Sequence, residues 1–332
     1  MTVNKIYNED CLNGLKRIET ESIDCVLTDP PYLYLKHKLD RPFDEHIFFA
    51  EIKRVLKKDG FIILFGRGTS FYRWNTILAN LGFTFKEEII WSKGYCTSPL
   101  MRLSRVHETI SLHTKGNGTI RKSKVPYLEM KKYDIPSIIT DIKRLRTTFG
   151  NPKSLAAVLS FLENNKVPLV DDCEKNMVSV SSDIKVQDRC ASVMGAITNG
   201  CKEKSIIRDD FNKNSNVGIT GASSVQANKA CTVMQAVECG MNEKSIIKET
   251  PDHYKAIHPT EKPVKLLERL LNLVCAKDAL ILDPFSGSGS TAIACLNSNR
   301  KYIGFEIDKE YFDKSIARIK DYNSNTELNL NL

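Results

Sequence analysis

The sequence predicts an α/β protein: a mostly parallel sheet with helices on both faces, assembled from two separated stretches of chain. Three observations lead there. Strand-like apolar runs alternate with helix-periodic segments through the first third of the 332 residues, and the same alternation returns in the last third. Between about 117 and 257 the rhythm is lost, so a dissimilar insert divides the two stretches. Neither stretch alone has enough strands to cover its own edges and faces, so the two are expected to share one sheet.

Taken in order, Asn4–Tyr7 reads as a short strand ending at Asp10, and Ile23–Thr28 as a buried one stopped by Asp29-Pro30-Pro31. Phe48, Ile52 and Val55 mark a helix over His46–Lys58, with Asp59-Gly60 as its C-terminal stop. Phe61–Phe65 reads as a buried strand. Phe71, Trp74, Leu78 and Leu81 line one face of the next helix, which ends at Gly82. Phe85–Trp91 and His107–His113 follow with no long helix between them, which suggests an antiparallel pair. In the insert, Asn151–Glu163 has helical spacing. Val193–Ile207 matches Val233–Ile247 at nine of fifteen positions, which reads as a duplicated helix-turn unit. After the insert, Val264, Leu267, Leu271 and Val274 form a helical stripe behind Pro263. Ala279–Leu282 and Tyr302–Phe305 are strands, Tyr311–Lys320 is a helix, and the chain after Asp321 reads as a polar, frayed tail.

Composition narrows the function classes. The hydrophobic share is 42% and the charged share 27%, which argues against wholesale disorder or a coiled-coil rod. No apolar run reaches ~18 residues, and the start lacks the regions of a signal peptide, so a cytoplasmic protein is expected. Ten scattered cysteines without a CxxC pair read as free thiols, with no metal site. The net charge of +8 is concentrated: Lys115–Lys153 holds ten Lys/Arg against three Asp/Glu. Such a block fits a polyanion partner such as nucleic acid, or else a solvated loop.

Two constellations carry chemistry. Asp283-Pro-Phe-Ser-Gly-Ser-Gly289 follows an apolar strand and opens a small-residue helix. Its glycines permit a tight turn close to a ligand, and Gly287, Gly289 and Ala292 have nucleotide-loop spacing. Glu306 ends the next strand, where a carboxylate can accept hydrogen bonds from two ribose hydroxyls. Together they point to an adenosine-type cofactor. Asp29-Pro30-Pro31-Tyr32 also ends an apolar strand. Its prolines stiffen a loop that offers a carboxylate, the Pro30 carbonyl and an aromatic ring. Those groups suit a planar base bearing an exocyclic amine: two acceptors for its N–H groups and a ring on which to stack.

With these motifs the chain resembles the β-class S-adenosylmethionine-dependent DNA amino-methyltransferases, adenine-N6 type. The resemblance covers roughly 1–116 and 256–320. It includes Asn8-Glu9-Asp10-Cys11, His258-Pro-Thr-Glu-Lys-Pro263 and the segment Tyr302–Ile319. It implies a permuted Rossmann-like methyltransferase fold. The catalytic half would be 1–116, the inserted target-recognition region 117–257 and the cofactor-binding half 258–320, with a polar tail at 321–332. It further implies that Asp29, Pro30, Pro31 and Tyr32 are catalytic, with Tyr32 stacking on a flipped adenine. Asp283, Phe285, Gly287 and Gly289 would shape the S-adenosylmethionine pocket. Glu306 would hold the ribose, Asp10 the adenine ring, and Thr260 and Lys262 the methionine end. The substrate would be double-stranded DNA, touched by Arg102, Arg105, Arg121, Lys122, Lys124, Lys143, Arg144 and Arg146. A homodimer and a restriction endonuclease partner are compatible with it.

Other readings stand beside this one. The family's cytosine-N4 enzymes more often carry Ser at the position of Asp29. Protein glutamine methyltransferases place Asn there, with the cofactor motif first. A non-catalytic DNA-binding module would not need Asp29, Tyr32, Gly287 and Glu306. The absence of any Pro-Cys pair argues against 5-methylcytosine chemistry.

Overall fold

The computed structural model describes residues 1–32, 40–94, 102–103, 105–132, 134–150, 153–164, 224–251 and 257–330. They form two compact units: 1–124 with 242–332, and 125–241.

The larger unit starts with β1 (Lys5–Asn8), α1 (Cys11–Leu15), β2 (Ile23–Thr28) and α2 (Glu45–Val55). The side chain of Asp44 caps α2 by accepting from Ile47 N at 2.9 Å, and Lys53 and Arg54 sit at its negative end. There β3 (Leu56–Gly66) begins at once. Asp59-Gly60 therefore lies inside a strand and does not stop the helix as expected. Leu56 is fully buried, and β3 takes its place beside Ile23 of β2, so sheet pairing outweighs the local stop signal. Then come α3 (Gly68–Asn80), β4 (Thr84–Ser92) and β5 (His107–Thr114), the last two antiparallel as the spacing predicts.

Short strands β6 (Lys124–Val125) and β7 (Met241–Asn242) mark where the chain passes between the units. The smaller unit holds α4 (Tyr127–Met130), α5 (Ile135–Thr148), α6 (Lys153–Asn164) and α7 (Ser224–Cys239), with α5 against both α6 and α7. Buried Asp141 of α5 collects Tyr127 Oη at 2.8 Å, Lys131 Nζ at 2.9 Å and Arg144 at 3.0 Å. This unit is narrower than the 117–257 read from the sequence. The first copy of the repeat lies outside the described residues. The second is not a helix-turn unit: it runs through the end of α7 into β8 (Ile246–Lys248) of the main sheet.

The larger unit then closes with α8 (Val264–Val274), β9 (Leu280–Asp283), α9 (Ser290–Asn297), β10 (Lys301–Glu306) and α10 (Lys309–Leu330). The expected frayed tail is thus helical as far as Leu330. Its hydrophobic stripe carries the helix past Asp321, with Phe312, Ile316 and Tyr322 packed on the core.

One eight-stranded sheet results, in the order β1-β10-β9-β2-β3-β5-β4-β8. The two stretches meet where β9 pairs with β2 in parallel, Cys25 beside Ile281. Alternation sorts side chains to the two faces. Cys25, Leu27, Ile63 and Phe65 join one core with Leu267, Leu270 and Leu271 of α8. Val26, Ile62 and Leu64 join the other with Phe48, Phe49 and Ile52 of α2 and Trp74 and Leu78 of α3. Fully burying one such leucine contributes about 1.5–3 kcal/mol. β2, β3, β9 and β10 are covered on both sides, so their carboxyl ends are held firmly where ligands bind in open α/β sheets.

Candidate active site

Asp29 follows the last residue of β2, and Asp283 ends β9. Because these strands are neighbours, the loops Asp29–Tyr32 and Asp283–Gly287 face one cavity of about 420 Å³. Asp10, Thr260, Lys262, Phe285, Gly287 and Glu306 also line it, so residues from both ends of the chain converge.

The Gly287–Glu306 side is built from backbone and acid. Gly287 adopts φ +48°, and its N–H donates to Glu306 Oε2 at 2.8 Å. Asp308 N donates to Oε1 at 2.8 Å. The Glu306 carboxylate is thereby aimed, and each oxygen keeps a lone pair for a ligand. Asp10 caps α1, accepting from Leu12 N at 2.9 Å. Asp283 is buried and accepts from Phe285 N at 3.1 Å; burial pushes its carboxyl up to about 7. Burial also raises Glu306. Phe285 packs against Phe43 and Phe48, at 5.3 and 5.4 Å between ring centroids. Gly289 caps α9 at φ +74°, and a Cβ there would stand 3.2 Å from Ser315, so its smallness also serves packing.

The Asp29–Tyr32 side carries a network that sequence reasoning missed. Tyr32 Oη donates to Asp29 Oδ1 at 2.5 Å, its ring is 6.0 Å from Trp74, and Ser70 Oγ donates to its carbonyl at 2.7 Å. The Lys262 ammonium donates to Asp29 Oδ2. Lys262, expected at the methionine end of the cofactor, lines the cavity with its charge paired to Asp29. Glu108 of β5 completes the group: Oε2 stands 3.5 Å from Lys262 Nζ, and Oε1 accepts from Lys93 at 2.5 Å. Burial raises Asp29 against the opposing pull of Lys262. Burial works against the Lys262 charge, but Asp29 and Glu108 outweigh it and the ammonium is held above its ordinary value.

His258, given no role by the sequence reading, also lines the cavity, 4.4 Å from the Tyr311 ring, and its Nδ1 lies 3.1 Å from Thr260 Oγ1. The HPT string was a signal for it. Nothing in the local pattern marked Phe43 or Glu108.

The basic residues divide between the units. Arg102, Arg105, Arg121, Lys122 and Lys124 are exposed on the larger one. On α5, Lys143 pairs with Glu163 at 2.6 Å and Arg144 with Asp141. Arg146 is half-buried. Among the described residues no cluster of His, Cys, Asp and Glu could hold a metal, and no helix is long and apolar enough to cross a membrane.

The chain is 25% identical over 327 residues to the type II methyltransferase M.BglII of Bacillus subtilis, covering 94% of this chain and 67% of that one. It is 23% identical to M.HinfI of Haemophilus influenzae, covering 97% and 70%. A shorter match, 52% over 54 residues, links it to the putative methylase YubD of Escherichia coli strain K12; it covers 16% of this chain and 24% of YubD. The fold matches the solved M1.HpyAVI–SAM complex with a TM-score of 0.50 at 17% identity, over 95% of this chain and 98% of that one. The DNA methylase family of N6/N4 type matches residues 23–318, most of the length, and the chain belongs to that family.

Proposed function

We propose that this protein is an adenine-N6 DNA methyltransferase that draws its methyl group from S-adenosylmethionine and acts on double-stranded DNA at a specific site. The observation that carries the proposal is the shared cavity: Asp29-Pro30-Pro31-Tyr32 and Asp283–Gly287 stand at the ends of adjacent parallel strands.

The residues present fit the cofactor. Glu306 offers an aimed carboxylate for ribose hydroxyls, Asp10 an acid for the adenine amine, and Phe285 an apolar wall. Thr260 and Lys262 stand in the cavity lining for the methionine end. When bound, the sulfonium supplies an electrophilic methyl group with a neutral thioether as leaving group.

The chain's own task is to hold the nucleophile. An adenine amine is a poor one, because its lone pair is delocalised into the ring. Asp29 and the Pro30 carbonyl would accept its two N–H bonds, favour a pyramidal nitrogen and stabilise the positive charge that develops there. Asp29 stands where it could take the proton that the methylated nitrogen must lose, and burial raises its proton affinity. Tyr32 would offer the extruded base a ring. Rotating the base out of the duplex costs a few kcal/mol, which phosphate contacts from the basic residues would offset. Two curated relatives are type II methyltransferases, which supports a restriction–modification setting. Asp at position 29, where the cytosine enzymes more often have Ser, favours adenine.

Incubating the protein with radiolabelled S-adenosylmethionine and plasmid DNA, then digesting to nucleosides, tests this. Labelled N6-methyl-2′-deoxyadenosine is expected. Asp29→Ala should lower transfer at least ~100-fold while cofactor binding changes little. N4-methylcytosine without N6-methyladenine would overturn the choice of base, and turnover at the wild-type rate in Asp29→Ala would overturn the role of Asp29.

A further inference from the structure

The two oxygens of Asp29 already carry donors: Tyr32 Oη on Oδ1 and the Lys262 ammonium on Oδ2. A target amine can use a remaining lone pair on either oxygen, but while the ammonium sits on Oδ2 it draws off the negative charge that the amine needs. Lys262 cannot leave for water. It is 8% exposed, and its Nζ lies over the rings of Phe65 at 5.2 Å and Trp91 at 6.0 Å. A buried ammonium that loses its anion is left with an uncompensated charge, so it needs a second anion within reach.

Glu108 is that anion. Its Oε1 is held by Lys93, but Oε2 is buried with no hydrogen-bond partner among the described residues, 3.5 Å from Lys262 Nζ. Oε2 is thus ion-paired with the ammonium but beyond good hydrogen-bond length, so a short shift of Nζ would satisfy it. The four groups, Asp29, Glu108, Lys262 and Lys93, are two anions and two cations, so moving the ammonium between carboxylates changes no net charge. Other titratable groups facing the pair are Tyr32 and Asp283.

Building on the proposed methyltransferase function, we infer that Lys262 is a displaceable counter-ion of Asp29 and that Glu108 is a positioning residue. In the free protein the Lys262 ammonium is the counter-ion of the buried Asp29. When the amine arrives, the ammonium moves onto Glu108 Oε2 and yields Asp29 Oδ2 to the substrate. No bond is made or broken in this step; a hydrogen-bond donor exchanges one carboxylate for another.

A double-mutant cycle tests this, read by single-turnover transfer from radiolabelled S-adenosylmethionine to DNA. Cofactor affinity and melting temperature are measured in parallel. Glu108→Gln should lower the transfer rate at least ~10-fold and leave the cofactor Kd within about threefold, because Lys262 then stays on Asp29. In a Lys262→Met background the same change should cost no more than about twofold, since there is no ammonium to receive. Should Glu108→Gln fail to fold, Glu108→Asp keeps the charge but withdraws the oxygen, and should give an intermediate rate. A wild-type rate in Glu108→Gln, or an equal loss with and without Lys262, overturns the inference and leaves the methyltransferase reading intact. A wild-type protein that labels no DNA overturns both.

Discussion

Asp283 offers a test of how burial acts on the cofactor side of the cavity. Replacing it with Asn keeps the shape, and an oxygen to accept from Phe285 N, but removes the ability to ionise. In the folded protein burial pushes this carboxyl from its ordinary 3.8 up to about 7. The unfolded chain has no such barrier. The folded state therefore holds the proton more tightly. The stability this confers is complete below about pH 4 and is lost as pH rises through 7. The span from 3.8 to about 7 amounts to roughly 4 kcal/mol at 1.36 kcal/mol per pH unit, of which roughly 3 kcal/mol falls above pH 5. Asp29 and Glu306, also raised by burial, titrate in both proteins and largely cancel from the comparison. The assay is urea unfolding of wild type and Asp283→Asn at pH 5 and pH 8.5. Between those values the wild type should lose roughly 3 kcal/mol relative to the variant. A difference that stays flat with pH would show that Asp283 ionises freely, and the account of its burial would fail.

Further outcomes follow from the same geometry. Arg269→Met should destabilise the larger unit by about 3–5 kcal/mol, because buried Arg269 pairs with Glu243 at 2.7 Å and Glu249 at 2.8 Å and its loss strands both acids; an equilibrium unfolding change below about 1 kcal/mol would contradict this. Gly289→Ala should cost about 1–3 kcal/mol, since φ +74° and the 3.2 Å approach to Ser315 both penalise a Cβ; an unchanged denaturation midpoint would refute it. Neutralising Lys143, Arg144 and Arg146 together should flatten the salt dependence of DNA binding by about two to three in log–log slope. An unchanged slope would place these residues outside the interface and leave them to their partners within the smaller unit.

The two chemistry-bearing loops were legible because their signals are local. Apolar runs predict β2 and β9, prolines and glycines predict abrupt turns at their ends, and in an open α/β sheet those ends are where ligands bind. Placing strands at 23–28 and 280–283 in one sheet needed only the argument that half a sheet cannot bury itself. Local signals failed where a tertiary partner outbid them. Asp59-Gly60 looks like a helix stop, yet pairing with β2 draws Leu56 onward into a strand. Residues after Asp321 look polar, yet the helix continues.

The sequence by itself determined the α/β class, the divided sheet, and which acids and glycines stand at the strand ends, since periodicity and turn chemistry act over a few residues. Only the tertiary structure decided which charges meet. Lys262 reaches Asp29 across 233 positions of chain, and Glu108, on an antiparallel strand with no motif of its own, supplies the second anion. Burial then decides the behaviour of Asp283 and Asp29, because the cost of a charge depends on the surroundings that the folded chain brings to it.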